Sequence, residues 1–175
     1  EAWATPHVYR FPLFGQVHTV RLYHAQTAAG DVVFVDHPAI CRGGVYGDPD
    51  TGQSYGDNLF RFALLCRAAI EAARRFRLSD QDGRPLADAG PVRFLSHDWH
   101  AGLLPVYLRA HYHPAGLLTD STCVHVIHNL AHQGIHAASA FYGSGLDRYW
   151  WPTLDMDGHL NPMKAAIVAS DRVLT

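Results

Sequence analysis

Two clusters of polar residues in the chain have side chains suited to hydrogen bonding or proton transfer. The first occupies residues 96–100 and reads Ser-His-Asp-Trp-His, and the second occupies residues 128–134 and reads His-Asn-Leu-Ala-His-Gln-Gly. Each cluster directly follows a short apolar run, at residues 92–95 and 123–127 respectively. Histidine, aspartate and amide side chains can hold a metal, move a proton or bind a polar substrate. The chemistry therefore depends on whether the fold brings the two clusters together.

The elements around these clusters predict that it does. Between them, Leu103, Leu104, Tyr107 and Leu108 recur at helical spacing, and His113 and Pro114 close the run. A strand, a helix and a second strand form a crossover unit, in which the two strands run parallel. The carboxyl ends of parallel strands meet at one edge of the sheet, where open α/β folds bind ligands. The sequence thus predicts one shared site.

The rest of the chain also follows an α/β pattern. Residues 17–23 alternate as in a half-exposed strand, and residues 32–35 form an unbroken β-favouring run, which predicts a strand covered on both faces. A long loop is expected at 38–56, then a helix that Asp57 caps and that ends near Arg77, then a loop at 79–91. We predict a Rossmann-like parallel sheet with flanking helices.

Towards the end of the chain, Pro162 can open a short helix, and residues 171–175 have the character of another strand. A chain that stops on such a strand is expected to be a fragment of something longer.

Composition narrows the class of protein. The chain has 175 residues, enough for one domain, and 14 basic against 16 acidic residues give a net charge of -2. The arginines form no stripe, which argues against a nucleic-acid partner. No apolar run is long enough to cross a bilayer, and the first residues show no signal pattern. Cys66 and Cys123 lie inside apolar patterns, which favours a reducing compartment.

A metal site is the first chemistry to consider. The candidate ligands near the predicted edge are His97, Asp98, His100, His128, His132 and His136. The last three have the spacing of one helical face, but Gly134 falls inside that helix, and the chain contains neither a His-Glu-x-x-His motif nor a cysteine pair. Ordinary hydrogen bonding explains these histidines better, and we predict no metal.

Two further chemistries find little support. Ser96 is not embedded in a Gly-x-Ser-x-Gly turn and neither cluster contains a cysteine, so a nucleophilic triad is disfavoured. No Gly-x-Gly-x-x-Gly follows a strand, so a dinucleotide site is disfavoured as well.

Sugar recognition fits the clusters best. Carbohydrate sites combine uncharged or lightly charged hydrogen-bonding groups with an aromatic wall. The chain offers such a set in Asp98, Trp99, His100, His128, Asn129 and Gln133. The plainer alternative is that Asp98 only caps the following helix and that Trp99 belongs to the core.

At these residues the chain resembles a known family, the starch and glycogen synthases. These are retaining glucosyltransferases of the GT-B fold that extend α-1,4-glucan from a nucleotide-glucose. Five collinear segments carry the resemblance: VFVDHP at 33–38, YGDNLFRF at 55–62, HDWHAGLLPVYL at 97–108, VIHNLAHQG at 126–134, and MKAA at 163–166 leading to DRVLT at 171–175. The fourth segment is most similar to the soluble plant and algal starch synthases, which use ADP-glucose in the plastid stroma.

The resemblance implies roles for particular residues. It implies that His128 contacts the donor glucose in the catalytic cleft and that Asp98 lies beside it. Residues that surround or support the cleft would be Tyr55, Asp57, Asn58, His100, Asn129 and Gln133. The implied partners are ADP-glucose and an α-1,4-glucan acceptor, with no cofactor.

The chain also departs from the family. It lacks the Lys-x-Gly-Gly-Leu loop and the second GT-B domain, with that domain's phosphate-binding arginine and lysine and its pair of glutamates. Residues 1–175 would therefore be part of the N-terminal catalytic domain, and we expect the isolated chain to be inactive. Two alternatives remain open: another GT-B sugar-nucleotide transferase, and a non-catalytic glucan-binding or scaffolding module.

Overall fold

The structure is a computed structural model that describes residues 7–28, 30–76 and 91–175. It begins with an antiparallel sheet of three strands, β1 (His7–Leu13), β2 (Gln16–Thr27) and β3 (Gly30–Asp36), in that order. Phe14 and Gly15 connect the first two strands with φ values of 49° and 73°, as a tight hairpin with a right-handed twist requires. Residues of β2 alternate between buried and exposed positions, which confirms the predicted half-exposed strand.

The predicted burial of residues 32–35 on both faces is wrong. They do form a strand, but β3 pairs antiparallel with β2. Val32 and Phe34 remain 37% and 47% exposed, whereas Val33 and Val35 pack against the core. A run of β-branched and aromatic residues favours an extended backbone whatever lies on its two faces. The apolar run therefore specified the strand without specifying its burial.

The first long helix, α1 (Asn58–Arg75), supplies much of the core. Its start and its end near residue 77 are confirmed, but Asp57 does not cap it. Asp57 occupies the N-cap position without a side-chain cap bond, because its carboxylate pairs with the Arg42 guanidinium instead. The preceding segment, residues 38–56, is a loop as predicted, with a single bridge between Gly47 and Ser54. The loop predicted at 79–91 lies outside the described residues except for Pro91.

The crossover unit is confirmed. Strands β4 (Arg93–His97) and β5 (Thr122–Val126) are parallel and register His97 opposite Val126. The connection contains α2 (Leu104–Tyr107), which continues as a π-helical turn through Tyr112. Its apolar side chains at Leu104, Val106 and Tyr107 are buried.

The remaining chain completes the sheet and braces it. Three two-residue strands, β6 (His136–Ala137), β7 (Asp155–Met156) and β8 (His159–Leu160), form a small antiparallel sheet next to the one-turn helix α3 (Trp151–Leu154). The predicted helix at Pro162 is α4 (Pro162–Ala169). The predicted last strand is β9 (Arg172–Leu174), which pairs parallel with β5.

Candidate active site

The two polar clusters meet at the carboxyl ends of β4 and β5, as predicted. His97 Nδ1 lies 2.9 Å from His128 Nε2, and the two rings stack at 5.2 Å between centroids with 16° between their planes. One nitrogen of this contact must carry a hydrogen and the other must accept it. Both side chains are exposed, so the pair lies on an open face of the site.

Asp98 connects the two strand ends. Its backbone has φ 52° and ψ -176°, a conformation that side chains rarely adopt. This geometry turns its carboxylate away from the turn that follows and towards the next strand end. Asp98 Oδ1 accepts from the backbone N–H of His128 at 2.8 Å and of Asn129 at 3.3 Å, while its own N–H donates to the Val126 carbonyl at 2.9 Å. The plainer alternative, in which Asp98 only caps the following turn, is therefore wrong, since its side chain makes no cap bond.

The same contacts keep Asp98 ionised. Partial burial by itself would raise the pKa of the carboxyl group, but the hydrogen bonds from the N–H groups of His128 and Asn129 favour the anion, with a further contribution from the nearby histidine rings. The net pKa of Asp98 lies below its ordinary value. The site thus contains a fixed negative charge at neutral pH.

A cavity of about 420 Å³ opens beside Asp98. It is lined by Tyr46, Ser54, Asn58, Asp98, Trp99, His100, Asn129 and His132. Hydroxyl, amide and imidazole groups alternate there with aromatic rings, which is the composition expected for a small polar ligand with apolar faces. The volume falls within the range of small-molecule sites.

His100 sits inside an aromatic box. Its ring centroid lies 4.3 Å from that of Trp99, 4.7 Å from that of Tyr46 and 4.8 Å from that of Phe62. Burial among these rings lowers the pKa of His100, although the Asp98 charge works in the opposite direction. The imidazole is consequently neutral near pH 7 and can both donate and accept a hydrogen bond. Trp99 packs edge-on against Phe62 and lines the cavity, and it is only partly buried and outside the core cluster, so the interpretation of Trp99 as a core residue is wrong.

The predicted residues outside the first cluster occupy different places. Asn58 and Asn129 line the cavity, and the Asn58 side chain also donates to the Tyr46 carbonyl at 2.8 Å. Tyr55 donates to the Gly43 carbonyl, and Asp57 contacts Arg42. Tyr55 and Asp57 therefore help to hold the loop at 38–56.

Gln133 lies apart from this cavity. Its Oε1 accepts from the buried Asn161 amide at 2.7 Å, and it lines a second, largely apolar pocket together with Leu130 and Met163.

Sequence reasoning did not identify several residues of the site. Tyr46 and Ser54 come from a loop without any periodic pattern, and contacts such as the Gly47–Ser54 bridge and the bond from the Asn58 amide to Tyr46 bring them to the cavity. Arg61 lies within a quoted motif, but its burial beneath the loop has no signal in the sequence. The three histidines considered as one helical face do not share a helix, since His136 belongs to β6 and His128 precedes a non-helical segment.

Within residues 7–28, 30–76 and 91–175, no group of three or more histidine, cysteine, aspartate or glutamate side chains could hold a metal ion. None of the helices in that part of the chain has the length and apolar character needed to cross a membrane.

Comparison with known proteins shows the family of the chain. The family model for the starch synthase catalytic domain matches residues 3–175. The chain belongs to the starch synthase family. It is 38% identical over 180 residues to soluble starch synthase 1 of Oryza sativa subsp. indica, covering 95% of this chain and 27% of that protein. Starch synthase 1 of Arabidopsis thaliana is 40% identical over 176 residues, with 93% and 26% covered.

Other relatives extend this picture. Granule-bound starch synthase 1 of Manihot esculenta is 37% identical over 191 residues, covering all of this chain and 31% of that protein. Among solved structures, the catalytic domain of starch synthase IV from Arabidopsis thaliana, bound to ADP and acarbose, aligns with a TM-score of 0.72 at 24% identity. That alignment covers 95% of this chain and 32% of the other, and it supports the fold. The chain thus spans between a quarter and a third of the length of these relatives.

Proposed function

We propose that the whole protein transfers glucose from ADP-glucose to the non-reducing end of an α-1,4-glucan with retention of configuration. In this proposal residues 1–175 are part of the N-terminal GT-B domain and form one wall of the donor cleft. Membership of the starch synthase family supports the activity. The observation that supports the location is the bond from Asp98 to the His128 loop beside a sugar-sized cavity.

His128 is proposed to contact the donor glucose, and Asp98 to fix the backbone from which His128 projects. Asp98 bonds to the N–H groups of both His128 and Asn129, so any displacement of the carboxylate would move the imidazole and the neighbouring amide together. Asn129 and neutral His100 would hydrogen-bond sugar hydroxyls without adding charge. In a transfer with an oxocarbenium-like transition state, rigid positioning of the sugar supplies much of the rate.

The remaining predicted residues are proposed to support the cleft. Asn58 and Tyr55 hold the loop at 38–56, to which Asp57 is also tied through Arg42. Gln133 connects the end of the second cluster to Asn161, the residue that caps α4. The diphosphate and the acceptor glucan would be bound largely by the other GT-B domain.

The direct test is a donor screen with the full-length protein. We expect glucose incorporation into glycogen from ADP-glucose to exceed that from UDP-glucose and GDP-glucose. His128→Ala should lower kcat by about 10²-fold or more, because it removes a positioned hydrogen-bonding group that faces the reacting sugar. His159→Ala, at an exposed position on β8, is the matched control and should leave turnover unchanged. Near-normal activity of His128→Ala would disprove the site assignment.

The isolated chain is expected not to transfer glucose, since it provides one wall of the cleft. Incorporation of labelled glucose from ADP-glucose by residues 1–175 alone would contradict this expectation. Binding of maltooligosaccharides without activity in the full-length protein would instead support the alternative of a glucan-binding module.

The proposed location is the plastid stroma. The relatives quoted above are named as chloroplastic or amyloplastic proteins. A fluorescent fusion of the full-length protein tests this, and accumulation outside plastids would contradict it.

A further inference from the structure

The loop at residues 38–56 forms part of the cavity wall although it has little regular structure of its own. Tyr46 and Ser54 are the residues it contributes to the cavity. The loop contains no helix or strand; turn hydrogen bonds and one isolated bridge shape it internally, and its position relative to the rest of the site depends on contacts with neighbouring elements. The position of this wall is therefore set by whatever holds the loop against the helix beneath it.

Arg61, one turn into α1, is the principal contact under the loop. Its side chain is 3% exposed, and it donates through Nε to the Ala39 carbonyl at 2.7 Å and through Nη1 to the Val45 carbonyl at 2.9 Å. Nη1 also donates to Asn58 Oδ1 at 2.6 Å, and Asn58 in turn bonds to Tyr46. One guanidinium thus joins the beginning of the loop, its middle and the start of the helix.

The chemistry of this contact argues against a role in stability alone. Burying a guanidinium is costly, and here its partners are two neutral carbonyls and an amide. An apolar side chain at this place would avoid that cost. What a planar guanidinium offers in return is a fixed fork of donors that determines where two separated carbonyls lie.

A second layer reinforces the same loop. The Tyr55 ring contacts two cations, with the Arg42 guanidinium carbon 4.6 Å and the Arg61 guanidinium carbon 4.8 Å from its centroid. Tyr55 donates to the Gly43 carbonyl, and Arg42 donates to the Ala39 carbonyl at 3.1 Å. These contacts close the loop upon itself around Arg61.

We infer that Arg61 is a positioning residue for the donor cavity, which acts by holding the loop at 38–56 so that Tyr46 and Ser54 line the cavity together with Asp98. The inference rests on the proposed function for the identity of the ligand. It predicts that Arg61 controls the binding of the sugar nucleotide more than the chemical step, because it reaches the cavity only indirectly, through the loop and through Asn58.

The test uses the full-length protein with Arg61→Lys, which keeps the charge but loses the planar fork. The matched control is Arg67→Lys, six residues along the same helix, where the guanidinium lies over Phe11 and Tyr107 instead of under the loop. In hydrogen–deuterium exchange, we expect the amides of residues 38–56 to exchange at least about tenfold faster in Arg61→Lys than in Arg67→Lys. Equal exchange in the two variants would overturn the inference, whatever the enzyme's activity.

Kinetic constants then distinguish a loss of loop positioning from a general loosening of the fold. Arg61→Lys should raise KM for ADP-glucose about tenfold and change kcat less than about threefold, whereas Arg67→Lys should alter neither by more than about twofold. In the double variant with Tyr46→Ala, KM for ADP-glucose should be no higher than in whichever single variant has the higher KM, since both substitutions act through one wall of the cavity. Effects that multiply would contradict the inference. Failure of the unaltered protein to use any sugar nucleotide would refute the proposed function, while the exchange experiment would still decide the role of Arg61.

Discussion

The strained backbone of Asp98 allows stability and activity to be separated at one residue. Replacement by Ala removes the acceptor for two backbone N–H groups, which costs about 1–2 kcal/mol at this partly exposed position. It also keeps a side chain at φ 52°, a conformation that costs about 1–3 kcal/mol. Replacement by Gly loses the same bonds but relieves that strain. We therefore expect Asp98→Gly to be more stable than Asp98→Ala by about 1–2 kcal/mol.

Thermal unfolding of the full-length protein, followed on the transition that contains this domain, measures the difference. A gap of that size corresponds to about 2–8 °C in Tm for a domain of this length. Both variants should lose most glucosyl transfer, because neither fixes the His128 backbone. Asp98→Asn retains an acceptor but loses the charge, and its Tm should fall between the wild type and Asp98→Ala.

Two results would refute this reasoning. Equal Tm values for the Gly and Ala variants would mean that the backbone at Asp98 is not strained. Full activity in Asp98→Gly would mean that the carboxylate is not needed to hold the His128 loop.

Two further predictions concern other parts of the site. Gly134→Ala should raise KM for ADP-glucose and change tryptophan emission, because an added Cβ would lie 2.1 Å from the Trp99 ring; Gly158→Ala has a similar φ and open space, and should show only the backbone penalty. Stability should fall as pH drops below about 6.5, because the unfolded chain takes up protons that burial denies to buried and partly buried histidines in the folded chain. Burial lowers the pKa of His37, His100, His111, His125 and His136. His111→Phe removes one such group and should reduce the fall in Tm between pH 7.5 and 5.5, and a Tm that is constant over this range would contradict the assignment.

The crossover unit could be predicted from the sequence because short local patterns indicate its strands and helix, and the order of these elements indicates that the strands are parallel. Apolar runs followed by polar clusters fix where β4 and β5 end, and a helical repeat between them requires parallel strands. The meeting of His97 with His128 follows from that topology, and the structure places their ring nitrogens 2.9 Å apart.

The failures share a different cause, since each concerns a choice between local and distant partners. Asp57 has the side chain and the position of an N-cap, as Asp98 does in the alternative interpretation, yet each carboxylate bonds to a partner far along the chain. Tyr46 enters the cavity because Asn58 and Arg61 hold its loop, and no periodicity of the loop encodes that contact. Capping rules describe which side-chain bonds a helix start can accept, and tertiary contacts decide whether the side chain makes that bond or another one.

The dependence of the loop on α1 has a consequence for protein engineering. Exchange of residues 38–56 between relatives, for example to alter donor preference, would transplant Tyr46 and Ser54 without the residues beneath them. Arg61 donates to main-chain carbonyls, so its contacts tolerate changes in the side chains at 39 and 45 but not in the number of residues between them. A graft should keep the number of residues between these carbonyls and include residues 55–61. It then transfers the cavity wall together with the arginine that holds it.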